Sequence, residues 1–262
     1  MKSLFRTLIL AIVLLLSSSI QELPVYPVGK DGRPTRKGIE LYVHQNQNKF
    51  LIEYQKVVND SLYDVYMTVD DLSQYNNGGD ALGFCISGLG SSEIIISNEA
   101  EKYMGYEVGM LSKFRRSTII ESNNFVKGVI FHELTHLYFN QVIRELRLDS
   151  LTVASDYNNF SMIPRNSFGS KFIEEGICMY ISIKIGECIH GQDYMPETMK
   201  ELMDNQNSYQ IMYQYSAEYV QSFLNYWGIK RGIQILVHNK PPTYEEILYP
   251  SKFYSRLETT LD

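Results

Sequence analysis

Two apolar spacings organise the chain. From Ile39 to about Asn59, apolar residues recur as Leu41, Val43, Phe50, Leu51, Tyr54, Val57 and Val58, the spacing of a helix with one buried face. Leu62–Val69 is rich in β-branched and aromatic residues and predicts a strand. Asn76–Asp80 reads as a loop, and Ala81–Ser87 and Glu93–Ser97 predict two short strands parted by Gly88 and Gly90. Helical spacing returns with Phe125, Val126, Val129, Ile130, Leu134, Leu137, Tyr138 and Val142. Ser122 or Asn124 can cap this helix, and neither Gly nor Pro interrupts Val129 to Leu148.

Beyond it, Leu146–Ser170 contains Pro164 and Gly169 and reads as a loop. Lys171–Ile181 is mostly apolar and predicts a buried helix, after which Gly186 and Gly191 break the chain. Pro196–Met203 reads as a helix start. Tyr209–Trp227 is a helix with Met212, Tyr215, Tyr219, Phe223 and Tyr226 on one face. Ile233–Leu236 belongs to the same helical half, and Tyr244–Leu248 predicts one more helix or turn after Pro241-Pro242. The fold class is α+β, with a small N-terminal sheet plus helices to about residue 145 and a helical C-terminal half after about residue 170.

The first residues stand apart from this pattern. Lys2 and Arg6 precede the apolar run Leu8–Leu16 and then three serines, the signature of a secretory signal peptide over residues 1–19. The run is short for a transmembrane helix, so membrane attachment is expected only if this segment stays uncleaved. Residues 20–38 form an irregular leader and residues 39–262 the folded domain. The expected location is secreted or periplasmic. Net charge is −6 over 262 residues, and loss of Lys2 and Arg6 would make it −8. With no basic run, nucleic acid is excluded as an expected partner, and the chain is expected to act as a monomer. Cys85, Cys178 and Cys188 lack the C-x-x-C spacing of a cysteine-only zinc site. Cys178, inside an apolar helix, reads as a small buried residue.

The candidate chemistry lies in Phe131-His132-Glu133-Leu134-Thr135-His136. Histidines four apart share one helix face, so both imidazoles can reach one tetrahedral metal. Glu133 beside them can take a proton from water. A third protein ligand is needed, and the mostly apolar segment Phe172-Ile173-Glu174-Glu175-Gly176 offers two carboxylates whose burial calls for a cation. Gly176 would let this helix approach another closely. His190 and His238 are the other candidate third ligands.

Together, His132-Glu133-x-x-His136 and Phe172-Ile173-Glu174-Glu175-Gly176 resemble the gluzincin zinc metallopeptidases, the peptidase MA-like family. The resemblance implies a zincin-like fold, Zn2+ held by His132, His136 and Glu175, and a peptide or protein substrate hydrolysed with Glu133 as general base. Glu174 competes for the ligand role. The resemblance also implies a tyrosine that steadies the oxyanion. Tyr215 takes that place, with Tyr213 and Tyr219 behind it. An edge strand beside the metal binds the substrate backbone in this family, which by resemblance falls on Glu93–Ser97. Two departures stand out. Residues 137–174 separate His136 from Glu175, a longer spacer than in the best-known members, and Met179 stands where thermolysin-like members carry an aspartate that orients a histidine. The other reading is a catalytically inactive zincin-fold binding or scaffold module.

Overall fold

The computed structural model describes residues 36–62, 65–72, 83–87, 92–97, 117–157, 168–190, 212 and 215–258, without the side chains of 117–127 and 186–190. The expected signal peptide, almost all of the leader, the Asn76–Asp80 loop, the Pro196–Met203 helix and Tyr213 lie outside these residues.

Helix α1 (Arg36–Val58) buries Ile39, Tyr42, Val43, Phe50, Tyr54 and Val58 along one side. It begins before Ile39, where Arg36 Nε donates to Glu40 Oε1 at 2.8 Å one turn on. It stops at Asn59, whose φ of 54° is the left-handed conformation that asparagine tolerates at a helix end. Three strands follow: β1 (Val65–Asp70), β2 (Gly83–Ser87) and β3 (Ser92–Ser97). Their spatial order is β1-β3-β2, with β1 parallel to β3 and β2 antiparallel to it. The strand expected at an edge, Glu93–Ser97, is therefore the centre of the sheet. Ile94 faces Met67 on one side and Cys85 on the other. Ile94, Ile95 and Ile96 are all buried, as a strand covered on both faces requires. Among the described residues, β2 is the outer strand on the side away from β1.

Helix α2 (Ser117–Leu148) starts earlier than either expected cap and runs unbroken through the histidine motif. Ile130, Phe131, Leu134, Leu137, Tyr138, Phe139, Val142, Ile143 and Leu146 are buried along it. Tyr54 of α1 donates to Thr135 Oγ1 at 3.1 Å, and Thr135 donates to the Phe131 carbonyl at 2.8 Å. These bonds tie the middle of α2 to α1.

Helix α3 (Phe168–His190) is longer than expected and passes through Gly186. Burial of Phe172, Ile173, Ile177, Cys178, Ile181 and Ile185 supplies enough packing to outweigh a glycine's weak helix preference. Helix α4 (Ser216–Trp227) crosses it and turns at Gly228 into α5 (Ile229–His238). Gly228 has φ of 77°, which glycine adopts without a Cβ penalty. Two short helices close the chain: α6 (Tyr244–Leu248), opened by a reciprocal Thr243–Glu246 capping box, and α7 (Pro250–Glu258). All described strands precede α2, and every described helix after it belongs to the helical half.

The approach of α3 to α4 depends on Gly176. A Cβ there would lie 2.7 Å from the Ser216 carbonyl carbon and 3.0 Å from Ser216 Cβ. The expectation that Gly176 permits close helix packing holds, and the helix it admits is α4.

Candidate metal centre

Helices α2 and α3 face each other across a small polar cluster in an otherwise apolar interface. His132 and His136 come from successive turns of α2, with Glu174, Glu175 and Cys178 opposite on α3. Leu134 and Leu137 on α2, and Phe172, Ile173 and Ile177 on α3, are buried and leave these polar side chains to meet each other.

Three atoms converge. His132 Nε2 lies 3.2 Å from His136 Nε2, and Glu175 Oε2 lies 3.1 Å from His132 Nε2 and 3.7 Å from His136 Nε2. Ligands of one tetrahedral zinc, with bonds of about 2.0–2.1 Å, stand about 3.3 Å apart. The observed triangle brackets that edge length. Glu175 Oε2 is buried and accepts no hydrogen bond that meets normal geometry, even with His132 so near. A buried carboxylate oxygen without a donor is costly, and a cation at the triangle would satisfy it. Cys178 belongs to the same group. His132, His136 and Cys178 each present a ligand atom within 4.8 Å of the other two, and this cluster could hold a metal ion.

Glu174 has a different position from Glu175. Its Oε1 lies 3.0 Å from His136 Nδ1. A proton on Nδ1 donated to this carboxylate leaves the Nε2 lone pair directed at the triangle, the arrangement in which an outer carboxylate fixes a ligand imidazole. The aspartate that thermolysin-like members place four residues after the ligand glutamate is Met179 here, partly buried against the core. Glu174 supplies an acceptor for the second histidine instead.

Glu133 is buried beside the histidines, and the outer strand β2 packs against it. A Cβ on Gly83 would come within 2.8 Å of Glu133 Cγ, 2.9 Å of Glu133 Oε1 and 2.7 Å of Val129 Cγ1. Only glycine lets the strand run this close to the carboxylate. Burial pushes Glu133 above the ordinary glutamate value, opposed by His136 and His132 and reinforced by Glu175 and Glu174. Glu175 moves the other way. Burial opposes its charge, but His136 and His132 outweigh burial and hold it below the ordinary value. Burial likewise disfavours the charged form of His136, yet Cys178, Glu175 and Glu174 around it outweigh that and raise it well above 6.5.

The remaining candidates fall elsewhere. Tyr215 is partly buried, its ring against Phe172 and Tyr219, and its hydroxyl donates to the Ile247 carbonyl at 3.3 Å. Tyr219 donates to the Glu246 carbonyl at 3.1 Å. Both hydroxyls are thus spent on carbonyls of α6 rather than on His132, Glu133, His136 or Glu175. His238 Nδ1 is 2.8 Å from the Thr152 carbonyl, at the exposed end of α5, and the His190 side chain lies outside the described residues. Cys85 and Cys178 are free thiols. Cys85, two residues along β2 from Gly83, is held as a neutral thiol by burial, with His136, Glu133, Glu174 and Cys178 among its titratable neighbours. Among the described residues no helix is long and apolar enough to cross a membrane. No family model matches the chain, and neither a curated protein nor a solved structure matches it.

Proposed function

We propose that this chain is a zinc-dependent peptidase of gluzincin type that works outside the cytoplasm. The observation that carries the reading is the triangle of His132 Nε2, His136 Nε2 and Glu175 Oε2, its edges of 3.1–3.7 Å matching one tetrahedral ion, with Glu133 buried alongside. Nitrogen and oxygen donors in that number suit zinc with one position open to solvent or substrate. Zinc supplies Lewis acidity, making water a nucleophile near neutral pH and polarising a carbonyl.

The side chains divide the remaining work. His132 and His136 would each give up any Nε2 proton to a bound metal, and Glu174 would hold the His136 proton on Nδ1. Glu175, held ionised by the two imidazoles, contributes negative charge. Glu133, raised above the ordinary glutamate value by burial, would take a proton from water and return it to a leaving amine as general base. Two carboxylates pushed in opposite directions support separate assignments, Glu175 to the metal and Glu133 to proton transfer. An extended peptide laid along β2, the outer strand at Glu133, would gain backbone hydrogen bonds by strand addition.

Zinc analysis of the purified chain beside Glu175→Ala tests the ligand set. Stoichiometric zinc in the wild type, lost in Glu175→Ala, together with cleavage of a peptide library by the wild type, is the expected result. Zinc without any cleavage would make the chain a binding module on this fold. A zinc-free wild type after metal-replete purification would sink the reading.

A further inference from the structure

We propose that Cys178 is a further donor to this centre, completing a set of two imidazoles, one carboxylate and one thiolate. The inference rests on the metal reading above and goes beyond its three ligands.

Three observations lead to it. Cys178 follows Glu175 by three residues, so both project from one face of α3 on successive turns. Cys178 thus lies on the side of α3 turned toward His132 and His136. The sulfur shares a cluster with both histidines in which all ligand atoms lie within 4.8 Å. Two ligands of one zinc, with bonds of about 2.0 Å to nitrogen and about 2.3 Å to sulfur, stand about 3.5 Å apart, so closing the set takes a shift on the order of 1 Å. Finally, Cys178 is fully buried among these groups, with no solvent to compete for it. A cysteine that only filled space would be served as well by an apolar neighbourhood; this one sits among imidazoles and carboxylates.

Were a metal bound, Cys178 would lose its S–H proton to solvent and offer sulfur as a donor beside His132 and His136. A thiolate there favours softer divalent ions and holds the centre in a closed form, which water or substrate must open before hydrolysis.

Cobalt(II) added to the metal-free chain reports the donor atoms directly. The expected spectrum has the visible bands of tetrahedral cobalt together with a near-ultraviolet sulfur-to-cobalt charge-transfer band. That band should persist in Cys85→Ser and vanish in Cys178→Ser, while the visible bands survive in both. Tetrahedral bands in the wild type without charge transfer would overturn the thiolate ligand and leave the three-ligand centre standing. A charge-transfer band lost in Cys85→Ser but kept in Cys178→Ser would overturn it too. Absence of any cobalt binding by the wild type would overturn this inference and the metal reading together.

Discussion

Helix α2 carries two polar clusters about two turns apart, and they balance their charges differently. Toward its C-terminal end, Lys230 Nζ lies 2.7 Å from Asp60 Oδ2 and 2.9 Å from Glu145 Oε2. Tyr138 donates to Asp60 at 3.1 Å, and Gln141 donates to the Ser61 carbonyl at 2.8 Å and to Glu145 at 3.1 Å. Both carboxylates there are answered by an ammonium from the chain itself. At His132 and His136 two carboxylates face two imidazoles, and Glu175 Oε2 has no donor. Both clusters join α2 to distant segments. The second alone leaves a carboxylate oxygen that an external cation would satisfy, and this separates a structural clasp from a cluster that could hold a metal ion.

The largest separation between the two should come from Glu133→Gln. Loss of the general base is expected to lower kcat on the order of 10³-fold, measured on any peptide the wild type cleaves, with zinc content and melting temperature nearly unchanged. Near-normal turnover in this variant would end the proposed mechanism.

Next in size is Glu174. Removing an outer carboxylate that orients a ligand histidine typically weakens metal binding about 10–100-fold. Chelator competition should show such a loss for Glu174→Ala. Glu174→Gln, which retains an oxygen acceptor for His136 Nδ1, should recover most of it. Equal affinities in all three proteins would reduce Glu174 to a packing residue.

Lys230→Ala should cost about 1 kcal/mol in denaturant unfolding, a modest figure because the ammonium is partly exposed and screened. Zinc content should not change. A variant that lost metal would show that the two clusters are coupled through α2.

The pH dependence sharpens the contrast with opposite signs. At Asp60 burial opposes ionisation, but Lys230, the Ser61 amide and Tyr138 outweigh it and depress the carboxyl. That contribution is present above 3.8 and is lost as pH falls through the lowered folded value. His136 has a raised folded value, so its contribution to the metal-free chain is complete below 6.5 and is lost as pH rises through the folded value. Melting of the metal-free chain across this range should therefore weaken on the acid side in a Lys230-dependent way and on the alkaline side in a His136-dependent way. A His136→Gln chain with an unchanged alkaline limb would contradict the assignment.

Helix spacing made part of the centre legible before any coordinates. A separation of four puts His132 and His136 on one face whatever the tertiary fold, and a glycine after paired acids in an apolar run marks a close helix contact. The roles of Glu174 and Glu175 were less legible, because adjacent residues on a helix point about 100° apart and only the crossing of α2 over α3 decides which one meets Nε2 and which meets Nδ1. Cys178 looked like core for the same reason that it is buried: its flanks, Ile177 and Met179, are apolar. Strand order was hidden because the pairing of β1 with β3 is parallel and leaves no turn signature in the sequence. The central place of Glu93–Ser97 follows from three consecutive buried isoleucines, a pattern that local sequence shares with other apolar runs. Resemblance to a family puts Tyr215 near the start of a helix but does not supply the neighbour that its hydroxyl finds, the Ile247 carbonyl.

Gly176 carries no functional group, yet its bare backbone is where Glu175, the crossing of α3 and the first residue of α4 are fixed together. Any side chain there would push Ser216 away and open the contact between α3 and α4. Mutational tolerance at this position is thus tied to that of the neighbouring Glu175, although the residue itself carries no side chain. Two consecutive residues thus matter for opposite reasons, Glu175 for the carboxylate it presents to the histidines and Gly176 for the side chain it omits.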